Sequence, residues 1–415
     1  MVAAPPSLTA PAASDEKSFL ASPLAFCAPR AAAHGAAFTT RAFGDATFVG
    51  DAAALAAAAR APPEDEKALR APFASARGEP FGELEEAFNA ACYECLFEWI
   101  PRYKEAGFST FRFEDFIDGR VRKMMSSARE LVLKAASPAL FGQPYAEAWA
   151  ATRLVELYQS HAEARREEGG VLALGRRLLR QDGTAALREA LAPWAARRGV
   201  AAEEAVEELT ASVEQTAALL CNMIAAAQAH PAASAQLARE QAAVLKGSAP
   251  RAPITAALLG EMPFLEAFTC EVLRTAPPAR PHRFRLSQPT RFGGLTLPAG
   301  ALIAPEPFVA ASLPSSHADP LLFDPSRFAA AEPPPTLCFG GAARAQALPG
   351  DLLTRDIAKA AFVQLRRMFE EVRLGADPPP KAGGYPLHTL PEASEVLLKP
   401  KMYYELQRGV KKLRF

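Results

Sequence analysis

Apolar residues recur three and four positions apart through the middle of the chain, the spacing that places them on one face of an α-helix. Pro231 and the region of Pro250 interrupt this pattern, as prolines do at helix boundaries. The segments with helical spacing are 147–166, 171–181, 183–198, 202–229 and 234–245. We therefore predict a succession of helices in the centre of the protein.

The pattern changes between Arg280 and Val309, where prolines and glycines alternate with short apolar stretches. This spacing predicts short strands joined by turns, and Gly293-Gly294 and Gly383-Gly384 are interpreted as turns. Half of the 415 residues are apolar, enough to bury a large core. The predicted fold class is mainly α with small β-sheets, in one large domain.

The net charge of the chain gives no support to one class of partner. The chain has 46 basic and 46 acidic residues, so nothing favours a polyanion such as nucleic acid. Basic residues do cluster near the end, at 399–401 and 408–414, where a partner-facing patch and a solvated tail are both open. We predict no membrane-spanning segment, because the chain lacks an unbroken apolar stretch of about 18 residues.

The six cysteines are scattered and do not form a disulfide framework, which indicates a reducing compartment, cytoplasmic or organellar. Cys92 and Cys95 form a C-x-x-C pair, but the segment 83–103 around them has the pattern of an amphipathic helix. We interpret them as two thiols of a helical core rather than a redox or zinc motif. Residues 1–17 are predicted to be a disordered leader, with a transit peptide as the alternative.

Glu271 and Arg274 lie one helical turn apart and share a helix face. A second arginine, Arg327, follows from a Pro-rich loop and can complete a buried, mutually neutralising network. The pair alone is a weak signal, because many solvated helices carry one. Its value comes from the motifs that follow it in order: Pro277-Pro278, Arg283 or Arg285, Gly293-Gly294, Leu297 to Gly300, His317 to Pro320, Phe323 to Phe328 and Phe339-Gly340.

Together these motifs closely resemble the C-terminal half of the cytochrome P450 superfamily. Upstream, Ala211 to Thr216 is similar to the A-G-x-[DE]-T-T segment of that family's long central helix, and residues 34–51 resemble the short strands after its first helix. The resemblance implies a P450-like domain over 18–415. Its parts would be a β-containing N-terminal region at about 36–60, a helical core at about 80–280 and a haem-loop region at about 333–352. It also implies haem as cofactor and a lipophilic small molecule as substrate.

The haem loop departs from the family pattern F-x-x-G-x-R-x-C-x-G, in which a cysteine thiolate binds the iron. With Phe339 in the first position, Gln346 stands where the cysteine belongs. If Leu348-Pro349-Gly350 is aligned with C-x-G instead, Leu348 takes that place and 351–369 becomes the next helix. Neither an amide nor a hydrocarbon side chain replaces a thiolate.

Cys338 is the alternative ligand, because Cys338-Phe339-Gly340 keeps the C-x-G spacing. Its Pro335-Thr336 lead-in, with 261–263 and 306–310, is similar to the branch that contains allene oxide synthases and hydroperoxide lyases. This choice requires an insertion of about three helical turns before the next helix, since Pro349-Gly350 would interrupt it. An ordinary buried cysteine is the competing interpretation.

In the family that the chain resembles, an acid followed by threonine delivers protons to bound oxygen. Glu214 keeps the acid, but Gln215 follows it, and Thr216 is one residue late, about 100° round the helix. The commoner use of such a hydroxyl is to bond the carbonyl one turn earlier.

The other haem contacts are arginines for the propionates and an aromatic residue. The resemblance assigns these roles to Arg283 or Arg285, Arg344 and Phe339. On an earlier helix the family has an aromatic residue or histidine followed four residues later by arginine, and Trp99 and Arg102 are one residue too close for that spacing. His282 is interpreted as a surface or capping residue.

Two functions are therefore carried forward. In the first, the protein keeps the P450 fold, without monooxygenase activity, and serves as a scaffold or partner-binding subunit in a larger assembly. In the second, it is a haem enzyme on a lipophilic substrate, either a monooxygenase or a fatty-acid hydroperoxide lyase or dehydratase with Cys338 on the iron.

Overall fold

The structure of the protein is a computed structural model. It describes residues 18–19, 22–40, 46–50, 81–100, 120–141, 148–166, 183–249, 251–278, 283–292, 295–313, 318–329, 351–375, 381–382, 388–389 and 394–401.

Helices dominate these ranges. In chain order they are α1 Pro23–His34, α2 Phe81–Trp99, α3 Met124–Phe141, α4 Ala148–Arg166, α5 Gly183–Arg198, α6 Ala202–Ala229, α7 Pro231–Val244, α8 Ala256–Gly260, α9 Pro263–Thr275, α10 Pro307–Ala311 and α11 Asp351–Met368. A 3₁₀ turn covers Pro325–Ala329.

The bounds of α5 and α6 are those that the apolar spacing predicts, and α4 and α11 each differ from the prediction by one residue. Helix α7 begins earlier than predicted, at Pro231 instead of Ser234. Proline is well suited to the first turn of a helix because its missing N–H would have no helical partner there. The predicted helix at 171–181 lies outside the described residues.

The strands are short. They are β1 Ala37–Thr40, β2 Ala46–Val49, β3 Arg120–Lys123, β4 Phe284–Arg285, β5 Thr290–Phe292, β6 Leu295–Leu297, β7 Leu302–Pro305, β8 Phe369–Leu374, β9 Lys381–Ala382, β10 His388–Thr389 and β11 Glu395–Pro400. Strands β4 to β7 fall where proline and glycine spacing predicts them. The fold is thus mainly α with small sheets, as expected.

The strands form four small sheets in the described residues. The first has the order β1-β2-β7-β4, and within it β2 and β7 are parallel, with Phe48 opposite Ala304. The second has the order β3-β11-β8, and β5 with β6 and β9 with β10 form antiparallel pairs. Phe38 and Phe48 face each other across β1 and β2, where they join a small aromatic cluster with Phe19 and Phe308.

The main core lies among α2, α3, α6 and α11, which pack against one another. Helix α6 is central to it, since α5, α9 and the end of β8 also contact it. Every residue from Glu208 to Ile224 on this helix is buried. A helix buried on all sides over this length has no solvated face, so its polar residues must find partners inside the protein.

Cys92 and Cys95 are both buried in α2, as core thiols of a helix are. Burial raises the pKa of Cys95 to about 12 and also raises that of Cys92, which keeps both as unreactive thiols. Of the helices in the described ranges, none combines the length and the apolar character that crossing a membrane requires.

Candidate functional site

Glu271 and Arg274 are held by α9 at the end of its buried face. Nε and Nη2 of Arg274 each donate to one carboxylate oxygen of Glu271, both at 2.7 Å. Both side chains are 0% exposed. The guanidinium also donates to the carbonyl oxygen of Ala311, at the end of α10, and to those of Pro320 and Leu322, in the loop before the 3₁₀ turn. The pair therefore fixes how α9 meets α10 and this loop.

Arg327 reaches the same carboxylate from the 3₁₀ turn, with Nε 3.8 Å from Oε1 of Glu271. The backbone N–H of Asp324 donates to that oxygen at 2.7 Å. Burial raises the pKa of Glu271, and the hydrogen bonds from Arg274 and from the Asp324 backbone offset this effect only in part. The structure thus brings Glu271, Arg274 and Arg327 together as one network; we call it the Glu271 cluster.

Glu214 lies on α6 and faces α3 and α4. Nε and Nη2 of Arg129, on α3, donate to its Oε2 at 3.0 and 2.8 Å. The hydroxyl of Tyr158, on α4, donates to its Oε1 at 2.8 Å. The side chains of Arg129 and Glu214 are only 10% and 9% exposed. We call these three residues the Glu214 cluster; it ties three helices together inside the core.

A second polar contact continues along the same side of α6. The ring of His161, one turn after Tyr158 on α4, lies between the hydroxyls of Thr184 at 3.0 Å and Thr210 at 3.3 Å. Helix α5 approaches α4 so closely here that a methyl group added to Gly183 would lie 2.7 Å from the backbone of Ser160. Glycine at this position lets the two helices touch.

Thr216 lies two positions after Glu214, which turns its side chain about 200° round α6. It is 0% exposed, and its hydroxyl makes no hydrogen bond with the described residues. The expectation that it bonds the carbonyl one turn earlier is therefore wrong, although Thr210 and Ser212 on the same helix do so. Because they face opposite sides, Glu214 and Thr216 cannot act on the same atom.

Arg129 and Tyr158 were not foreseen from the sequence. They are 85 and 56 residues from Glu214, so no local spacing connects them.

A further buried group, which the sequence does not predict either, joins α9 to α11. Arg355 donates to Glu266 and, at 3.3 Å, to the sulfur of Cys270, while Lys359 donates to Glu266 at 2.7 Å.

Comparisons with known proteins test the resemblance. Residues 198–344 match the sequence model of the family Cytochrome P450. The haem domain of cytochrome P450DA is similar over 97% of this chain and 98% of its own, with a TM-score of 0.63 and 15% identity. The chain has the cytochrome P450 fold, and its residues 198–344 match the sequence model of that family.

A cyanobacterial cytochrome P450, CYP120A1 with bound retinoic acid, is also similar. The match covers 91% of this chain and 94% of the cyanobacterial protein, with a TM-score of 0.56 and 19% identity. A comparison with curated protein sequences gave no match. At these identities the two solved structures establish the P450 fold, and they carry no information on substrate.

The candidate residues of the haem loop lie outside the described residues: Cys338, Phe339 and Arg344, and Gln346 and Leu348, which stand at the ligand position in the two alignments. His282, interpreted as a surface or capping residue, and Arg102 also lie outside them. Of the two arginines expected at a propionate, Arg285 is exposed and its Nη1 donates to the carbonyl of Gly300 at 3.2 Å, while Arg283 is half-buried. Trp99 is buried at the end of α2.

The segment of α6 that the family resemblance places beside haem is packed into the core. A flat cofactor needs a surface on α6 that no side chain covers, yet Ala211 to Thr216 are buried throughout. The acid of this segment is bound by Arg129 and Tyr158. The hydroxyl of Thr216 is a buried polar atom of this segment with no hydrogen bond to the described residues, and it suits a ligand at α6.

Proposed function

We propose that this protein keeps the P450 fold without the haem-thiolate chemistry and acts as a scaffold or binding subunit. The observation that carries the proposal is the complete burial of α6 over the segment where the family places its oxygen chemistry. A porphyrin beside that helix would have to displace packed side chains, which costs free energy at the density of a protein core.

The Glu214 cluster supports the same proposal. A proton carrier has to gain and release a proton next to the reacting group. Both oxygens of Glu214 instead accept hydrogen bonds from buried donors, one of them a permanent cation. Releasing Glu214 for proton transfer would break both of its hydrogen bonds with the buried Arg129. We therefore assign Glu214 a structural role.

The start of α11 favours one alignment of the haem loop. The helix runs from Asp351, directly after Leu348-Pro349-Gly350, so the C-x-G position before the helix is taken by leucine. Leucine has no lone pair for a metal. Cys338 lies twelve residues before Gly350 in the sequence, which leaves it far from the position that the family uses.

Visible spectroscopy of the purified full chain tests the proposal. After expression with added haem precursor, the protein should show no Soret band, and the reduced protein should show no long-wavelength band with carbon monoxide. A Soret band that shifts in this way would overturn the scaffold function and favour the alternative, a haem enzyme. Cys338→Ser then separates the candidates: loss of the thiolate spectrum assigns Cys338, and an unchanged spectrum excludes it.

A restored ligand sharpens the test. Leu348→Cys supplies the thiolate at the position before α11, with Leu348→Ser as the matched control. If the packing around α6 excludes haem, neither variant gains a Soret band. A thiolate spectrum in Leu348→Cys alone would mean that the porphyrin site persists, and would contradict the inference drawn from α6.

A further inference from the structure

One carboxylate receives two cations where α9 meets α11. Glu266 lies in the first turn of α9. Nη2 of Arg355 donates to its Oε1, and Nζ of Lys359 donates to its Oε2 at 2.7 Å. Both cations belong to α11, so each oxygen of Glu266 binds a different side chain of the same neighbouring helix.

The two cations are buried more deeply than the acid that binds them. The side chains of Arg355 and Lys359 are 0% and 3% exposed, whereas that of Glu266 is 33% exposed. Arg355 and Lys359 lie four residues apart on α11, a spacing at which like charges repel each other. The carboxylate of Glu266 therefore offsets a repulsion inside the protein while it stays within reach of water.

Two further titratable side chains contact the cations. Nζ of Lys359 lies 2.7 Å from Oδ1 of Asp356, one turn earlier on α11. Nη2 of Arg355 donates at 3.3 Å to the sulfur of Cys270, which is one turn after Glu266 on α9. Glu266 is thus faced by two cations, and an acid and a thiol lie behind them.

Both ends of α9 have anchors that do not involve Glu266. At its start, Glu240 is the charged group that α7 contributes, and its carboxylate accepts the N–H groups of Phe264 and Leu265 at 2.7 and 2.9 Å. At its end, the Glu271 cluster joins α9 to α10 and to the loop before the 3₁₀ turn. Loss of the Glu266 charge should therefore open the contact with α11 locally, without detaching α9.

We propose that Glu266, Arg355 and Lys359 form a charge-controlled latch between α9 and α11. While Glu266 is ionised, it binds both cations and keeps the contact around Cys270 closed. Protonation removes the charge of Glu266, whereas the guanidinium of Arg355 stays charged, so the contact opens. The latch makes the packing of α11, the helix directly after the haem-loop region, responsive to acid. It goes beyond the scaffold function and does not depend on it.

Thiol labelling of the full chain tests the latch, with Cys270 as the reporter. Because Cys270 is 1% exposed, N-ethylmaleimide reaches it only when the contact opens. Peptide mapping by mass spectrometry separates it from Cys92 and Cys95, which are buried in α2 and report global unfolding. At low urea the labelling rate of Cys270 should be nearly independent of urea, and the rates of Cys92 and Cys95 should rise steeply with it. The same steep slope at all three thiols would overturn the latch.

Two variants at neutral pH assign the opening to Glu266. Glu266→Gln imitates the protonated carboxylate and should raise the urea-independent labelling rate of Cys270 about tenfold. Asp356→Asn is the matched control, since it removes a carboxylate at the same 2.7 Å from Lys359 but within α11. It should raise the rate less than about twofold. Equal effects of the two substitutions, or no effect of Glu266→Gln, would contradict the proposal.

The acid response is measured on the unaltered protein. The labelling rate of Cys270 is divided at each pH by the rate of the same thiol in the urea-unfolded chain, which removes the pH dependence of the reagent. This ratio should rise as the pH falls below neutrality, before Cys92 and Cys95 become reactive. In Glu266→Gln it should already be high at neutral pH and change little in acid. The same acid response in both proteins would show that another group opens the contact.

Discussion

The Glu271 cluster and the Glu214 cluster both hold a buried glutamate against an arginine, yet they arise in different ways. In the first, Arg274 lies three residues from Glu271 on the same helix. In the second, Arg129 and Tyr158 come from two other helices. The first pair can be predicted from spacing, whereas the second exists only once the helices have packed.

The difference also concerns function. The Glu271 cluster joins a helix to loops, and every contact it makes is structural. Glu214 occupies a position at which the family resemblance implies proton delivery, but its carboxylate joins helices α3, α4 and α6 instead. The carboxylate of Glu214 is therefore engaged in helix packing, which is the structural role that we propose for it.

The largest effect should follow from breaking the Glu271 cluster. Glu271→Ala leaves the fully buried Arg274 without its carboxylate, and Arg274→Ala leaves Glu271 without its bidentate partner. Either change should lower the free energy of unfolding by about 3–5 kcal/mol. Urea titration followed by circular dichroism measures this loss. Arg327→Ala is the control and should cost less stability, since Nε of Arg327 lies 3.8 Å from Oε1 of Glu271 and the side chain of Arg327 is 11% exposed. A loss below about 1 kcal/mol for Glu271→Ala would contradict the structural role.

A smaller effect is expected at the Glu214 cluster. Glu214→Gln keeps the shape and removes the charge that Arg129 faces, so stability should fall by about 1.5–3 kcal/mol. Tyr158→Phe removes one hydrogen bond to the same carboxylate and should cost about 1 kcal/mol. Urea titration measures both losses of stability. A double-mutant cycle that combines Glu214→Gln with Arg129→Met isolates the coupling energy between these two side chains. If Glu214→Gln and Tyr158→Phe left stability unchanged, Glu214 would be free for another role and the comparison of the two clusters would fail.

Much of the fold could be predicted because the deciding signals are local. The period of apolar residues gives both ends of α5 and α6, since each segment is long and regular. The order of motifs after Glu271 led to the P450 family, which the sequence and structure comparisons support. Short strands were expected between Arg280 and Val309, where β4 to β7 lie.

The polar contacts inside the core could not be predicted in the same way. The periodicity of apolar residues indicates which face of a helix is buried, but not which neighbouring helix packs against that face. Arg129 therefore could not be predicted as a partner of Glu214. For Thr216, the general preference for back-bonding gave a wrong expectation.

His230 connects the two clusters and gives the smallest predicted effect. It ends α6, which carries Glu214, and its ring stacks on Phe323 at 4.1 Å, directly before Asp324 of the Glu271 cluster. Burial lowers the pKa of His230 from its ordinary value of 6.5. The unfolded chain therefore binds the proton more readily, so the contribution of His230 is complete above pH 6.5 and is lost as pH falls through the lowered folded value.

Urea midpoints measured across the acidic side of neutrality test this expectation. The wild-type protein should lose stability as pH falls, and His230→Phe, which keeps an aromatic ring against Phe323 but cannot titrate, should lose less. The difference between the two curves isolates His230 from the other histidines, which both proteins share. Parallel curves would mean that the proton binds elsewhere, and that the stacked ring joins α6 to the Phe323 loop by packing alone.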